Sequence, residues 1–119
     1  MDRELRLSVL QRVTPFADAV GRGDAPVDEL ALLVSFALNP GLDVLESLAD
    51  LDELAGECPT PTRDGVMHFL FGGSEPRFRG DTTDYHQWRN SALDQVIRRG
   101  RGMPITLAVV AIAVAERVG

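Results

Sequence analysis

Residues 98–119 read RRGRGMPITLAVVAIAVAERVG, and the reading of this stretch decides the fold. Arginines and glycines crowd its start. Pro104 then opens a helix, because proline's fixed φ and missing N–H suit a first helical position. Ile105, Leu107, Val109, Val110, Ile112 and Val114 follow with alanines between them, so apolar side chains fall on every side and not on one stripe. Such a helix calls for partners all round. Leaving about three of these side chains in water forgoes roughly 5–9 kcal/mol of burial, which rivals a small domain's whole margin of about 5–15 kcal/mol. The expectation is a mostly or all-α fold, with about five or six helices packed around the last one. Where those helices do not wrap it completely, a homodimer or another protein partner covers it.

Working outward, NSALDQVIRR at 90–99 reads as a short helix capped by Asn90 or Ser91, and Ser91 with Asp94 has capping-box spacing. Residues 73–89 read as a loop pinned by Phe78, Tyr85 and Trp88, with PRFRG at 76–80 its nearest approach to a strand. RDGVMHFLFGG at 63–73 is a helix ended by a glycine pair. In 42–57, Val44, Leu48, Leu51 and Ala55 form a stripe with Leu45 and Leu54 beside it, while the carboxylates fall mostly elsewhere. Pro26 starts a further helix in which Val27, Leu30, Ala31, Val34 and Leu38 line one face, Leu32, Leu33 and Phe36 widen it so that heavy burial is expected, and NPG at 39–41 stops it. Leu5, Val9 and Val13 recur at helical spacing, Pro15 interrupts, and TPFADAVGRG becomes a second short helix.

The chain has 119 residues and a net charge of −6, and all its cations are arginines. That length suits a single helical domain over 1–119, split by charge into an acidic half (1–62) and a half with slightly more arginines than carboxylates (63–119). The acidic balance argues against nucleic-acid binding, which rests on cations meeting phosphates. Cys58 is the single cysteine, so no internal disulfide forms. The N-terminus lacks an apolar signal core, and no apolar run reaches the roughly 20 residues that span a bilayer. These features give a cytoplasmic protein with no membrane contact. One cysteine and two separated histidines, His68 and His86, do not make a metal site, and nothing implies a cofactor. His68 reads as a helix-packing or boundary residue and His86 as a hydrogen-bonding loop residue.

From Phe69 onward the sequence resembles the N-terminal part of SirB-type bacterial transglutaminase-like proteins. The matching pieces are FRG at 78–80, Tyr85, RNS at 89–91 with Leu93, RRGRG at 98–102, MPITL at 103–107 and the closing ERVG. The resemblance implies a branch of the transglutaminase and cysteine-protease superfamily. Active members place a cysteine at the start of a central helix, with a histidine and an acid on a downstream sheet. Here Pro104 stands near the expected nucleophile position, and the sequence reaches Gly119 before such a histidine. The implied fold is therefore the helical part of a transglutaminase-like domain lacking its sheet.

Within 1–119 no catalytic residue is assigned. Thr106 is the one hydroxyl near the helix start, and a threonine without a base is inert at neutral pH. Helix capping explains Asn90 and Ser91; the resemblance adds a candidate pocket formed by Tyr85, His86, Asn90, Ser91, Gly102, Pro104 and Thr106. Gly100 and Gly102 supply backbone conformations closed to other residues. Arg98, Arg99 and Arg101 are candidates for holding a phosphate or carboxylate, or they line a solvated turn. The function that follows is a noncatalytic binding or regulatory module. The alternative is a fragment of a transglutaminase-like hydrolase or acyl-transferase whose catalytic residues lie beyond Gly119.

Overall fold

A computed structural model describes residues 2–119. Among these residues there are six α-helices: α1 (Arg3–Arg22), α2 (Val27–Leu38), α3 (Val44–Gly56), α4 (Arg63–Phe71), α5 (Leu93–Arg99) and α6 (Pro104–Val118). One 3-10 turn covers Trp88–Asn90. The sheet is minimal: β1 (Arg79–Gly80) and β2 (Arg101–Gly102) pair in parallel, with Arg79 opposite Arg101 and Gly80 opposite Gly102. The strand-like PRFRG therefore does supply a strand, of two residues.

The helices start where the chain provides acceptors for orphan N–H groups. Asp2 accepts from Leu5 N (2.8 Å), Asp43 from Glu46 N (3.1 Å) and Thr62 from Gly65 N (3.0 Å). Pro104 opens α6 as the sequence indicates. The expected cap of α5 does not form. This helix begins at Leu93 after Ala92, and the Leu93 N–H donates instead to the Ser35 hydroxyl of α2 at 2.9 Å. Ser91 Oγ turns the other way and donates to Met103 Sδ at 3.1 Å. A partner 58 residues away thus replaces the local capping box.

The expected break at Pro15 is also absent, because α1 runs through it. Proline leaves the Gln11 carbonyl without its helical donor, but this part of α1 is exposed and water can serve there. The Thr14 hydroxyl donates to the Leu10 carbonyl on the turn before. Leu5, Val9 and Val13 do not enter the core; their exposures are 52%, 41% and 40%. Ala19 is the buried residue of α1, which packs chiefly on α2.

The core lies between α2, α3, α4, α5 and α6. Leu32, Leu51, Leu70, Leu93, Val96, Val110 and Val114 are its largest fully buried apolar side chains. In α2 the buried residues are Asp28, Leu32 and Ser35; Leu32 is buried as expected, whereas Val34 and Leu38 of the predicted stripe face water. In α3 the predicted Leu51, Leu54 and Ala55 are buried, but Leu45 is exposed. Helix α6 touches α2, α3, α4 and α5, yet these do not enclose it. Thr106, Val110, Ala113 and Val114 point inward, whereas Ile105, Ala108, Ile112 and Ala115 form an exposed outer stripe.

An ion network fastens the end of α6. Arg117 meets the buried Asp28 carboxylate at 2.8 Å and the exposed Asp52 at 2.7 Å, and donates to the Ala113 carbonyl at 3.0 Å. Burial pulls the Arg117 pKa down, but the hydrogen bonds to Asp52 and Asp28 outweigh it and raise it above the ordinary value.

Candidate functional site

The loop from Asp81 to Ser91 and the turn from Gly100 to Pro104 meet at Asn90. This residue is fully buried. Its Nδ2 donates to the carbonyls of Asp84 and Tyr85, each at 2.9 Å. Its Oδ1 accepts from Arg99 at 3.3 Å, and its backbone carbonyl accepts from Met103 N at 3.0 Å. Every polar atom of the side chain is therefore engaged in holding the loop against the entry to α6.

Asp81 closes the same network from the other side. Its Oδ1 accepts from Thr83 N (3.1 Å), Thr83 Oγ1 (3.0 Å) and Asp84 N (3.0 Å), and its Oδ2 from Gln87 (3.3 Å) and Arg99 (3.4 Å). The Asp84 N–H is the largest influence on this carboxyl. Cover from water works against it, and the Thr83 hydroxyl and N–H reinforce it, so the pKa lies well below the usual carboxylate range.

The turn is shaped by two glycines for different reasons. Gly100 caps α5 with φ +73°, and a Cβ there would lie 2.5 Å from the Arg77 carbonyl oxygen. Gly102 has no such φ; a Cβ on it would meet the Val96 methyls at 2.8 and 2.9 Å. Close approach, not backbone freedom, requires glycine at 102.

The remaining candidates separate by exposure. Tyr85 and His86 are exposed and stack edge to face, with ring centroids 5.2 Å apart. Ser91 and Pro104 are exposed, while Thr106 is buried on the inner face of α6. The structure joins Asn90 to Tyr85, Met103 and Arg99 through direct bonds. Arg98, Arg99 and Arg101 diverge: Arg99 turns inward to Asp81 and Asn90, Arg98 lines a groove with Asp50 and Glu53, and Arg101 sits in β2 beside Arg79. His68 is an exposed residue of α4. Of the loop aromatics, Phe78 is the buried anchor, and its N–H donates to the Leu70 carbonyl at 2.9 Å. Asp81 and Arg79 escaped the sequence reading; the clue for Asp81 was the spacing D-x-T-D, in which a carboxylate can accept from N–H groups two and three residues on. Cys58 lies between α3 and α4, its Sγ 3.5 Å from the Thr60 carbonyl oxygen.

Among the described residues, no cluster of three or more His, Cys, Asp or Glu side chains has the arrangement of a metal site. Likewise none of the described helices is long and apolar enough to cross a membrane.

The domain is a mostly helical scaffold in which a tight glycine turn leads into an apolar helix, α6. A family model described as Transglutaminase-like superfamily matches residues 42–119, well over half of the chain, and the chain belongs to that superfamily. No curated protein and no solved structure matches it.

Proposed function

We propose that this chain is a noncatalytic protein-binding module of SirB type, and that a second copy of the chain is its partner through α6. The observation behind this reading is the outer stripe of α6. Ile105, Ala108, Ile112 and Ala115 follow the alternating three-and-four spacing of a coiled-coil seam. Ile105 is 72% and Ile112 45% exposed. Alanines between the isoleucines let two such helices approach closely, and one patch meeting its own copy closes a twofold dimer. Turning the two isoleucines from water returns about 2–3 kcal/mol per chain. That is modest beside the cost of association, so the pairing is weak and depends on concentration.

Sedimentation of the chain across micromolar to millimolar concentrations tests this. The expected result is a rising average mass, abolished by Ile112→Arg while helicity is retained. A constant monomer mass over that range refutes the dimer.

Superfamily membership favours a second reading, in which these helices form one wall of a hydrolase or acyl-transferase site completed by residues outside 1–119. The Asn90 and Asp81 network then serves to fix that wall. Turnover of a glutaminyl peptide, measured on the protein as its gene encodes it, would replace the first reading with this one.

A further inference from the structure

The arginines around the small sheet are not equivalent. Arg77 is occupied by Glu57 at 2.8 Å and lies over the Phe69 ring at 4.8 Å. Arg99 is bound to Asp81 and Asn90, and Arg89 lies over Trp88 at 5.0 Å. Arg79 and Arg101 form no ion pair with a carboxylate among the described residues, although the chain as a whole is acidic. They are also direct partners in the parallel ladder, so two cations stand side by side on adjacent strands, whose backbones run about 4.8 Å apart. Like charges so placed repel unless something lies between them.

On one side of them is a groove of about 400 Å³ lined by Arg79, Gly80, Thr82, Thr83 and Arg101, with no carboxylate in its wall; the groove on which Glu75 lies is a separate one that the same two arginines also line. The Thr83 hydroxyl is taken by Asp81, which leaves the exposed Thr82 hydroxyl as a further donor. The position of the pair is fixed from behind. Arg79 N donates to the Gly100 carbonyl at 2.9 Å, and Gly100 must be glycine for the chain to turn there.

We infer that the Arg79–Arg101 groove binds an oxyanion, and specifically a phosphate group. Guanidinium forks recognise phosphate through paired N–H donors. Two forks with a hydroxyl surround a tetrahedral dianion, whereas a planar monoanionic carboxylate is satisfied by one fork. The groove shares no lining residue with the α6 stripe, and its test reads phosphate binding and not mass, so failure of the dimer reading leaves it untouched.

The test uses the intact chain with inorganic phosphate, acetate and sodium chloride at matched ionic strength. Amide NMR shifts and thermal unfolding are read together. Phosphate is expected to shift the amides of Arg79, Gly80, Thr82 and Arg101 saturably and to raise the melting temperature above that in chloride. Arg79→Gln and Arg101→Gln each weaken binding by about tenfold or more, Arg101→Lys weakens it less, and Arg98→Gln leaves it unchanged. Equal responses to phosphate in the wild type and the Arg79→Gln, Arg101→Gln double variant overturn the proposal. So does reproduction of the effect by chloride. Acetate binding as tightly as phosphate overturns the assignment to a phosphate group. The wild-type shift map keeps the question decidable should the double variant fail to fold.

Discussion

Replacing Arg117 with methionine isolates the contribution of the α6 anchor. Asp28 accepts from Arg117 Nη2 at 2.8 Å through Oδ2 and from the Glu29 N–H at 2.9 Å through Oδ1, and its side chain is 4% exposed. Arg117→Met keeps an apolar stem of similar length but leaves Oδ2 buried without its cation. Breaking a buried pair from one side costs about 3–5 kcal/mol. A chain of this size has about 6–18 kcal/mol in all, so the variant folds with a reduced margin. Its melting temperature should fall by about 10–20 °C. Asp52 is the internal control: it meets the same guanidinium at 2.7 Å, but its side chain is 71% exposed. Solvent screening there limits Asp52→Ala to under about 1 kcal/mol. The paired change Asp28→Leu with Arg117→Met should recover most of the loss, because an apolar pair removes the stranded charge. Urea and thermal unfolding followed by circular dichroism give all four values. If Arg117→Met falls within about 1 kcal/mol of the wild type, or matches Asp52→Ala, the buried pair does not hold α6 to α2 and the reasoning fails.

Two further predictions concern the loop and its neighbour. Asp81 has a folded pKa below its unfolded value of about 3.9, so its contribution is complete above that value and is lost as pH falls through and below it. Trp88, the single tryptophan, lies on the turn that Asp81 helps hold, so its fluorescence should change on acidification below about pH 4; Asp81→Asn should remove that component, and an unchanged acid profile in the variant would contradict it. Ser35→Ala should cost about 1–3 kcal/mol by leaving the buried Leu93 N–H without an acceptor, and denaturant unfolding with amide exchange at Leu93 measures it.

The helices were legible in the sequence because they rest on local chemistry. Pro104 reads as the start of α6; Thr62 before α4 and the carboxylates before α1 and α3, which the sequence reading did not single out, likewise act within a single turn. Local rules failed where a distant residue intervened. Ser91 and Asp94 had the spacing of a cap, but Ser35 reached the Leu93 N–H first. The buried face of α2 was legible in part: Leu32 is in it as expected, but Asp28 counts as polar in a periodicity, and it is Arg117 that makes it a core residue. Pro15 reads as a breaker, and its effect was blunted by exposure. At the candidate site, Asn90 and Gly102 could be singled out by position, but their roles needed coordinates: one binds a loop to a helix start, and the other lets Val96 pass close by. Arg79 and Arg101 are well separated along the chain, and nothing local announces that they become neighbours.

Helix α1 has a mechanical consequence. It rests chiefly on α2, contributes Ala19 to the interior, and lies outside the segment matched by the superfamily. The radius of gyration, 15.4 Å, exceeds the roughly 13.5 Å of a chain this long folded into a sphere-like body. Few buried contacts therefore oppose its peeling away, whereas α2 is fastened by Leu32, by Ser35 and by the ion pair of Asp28. The molecule is expected to have a seam of weakness along α1: amide exchange should show α1 opening as a separate unit while the five helices behind it stay closed.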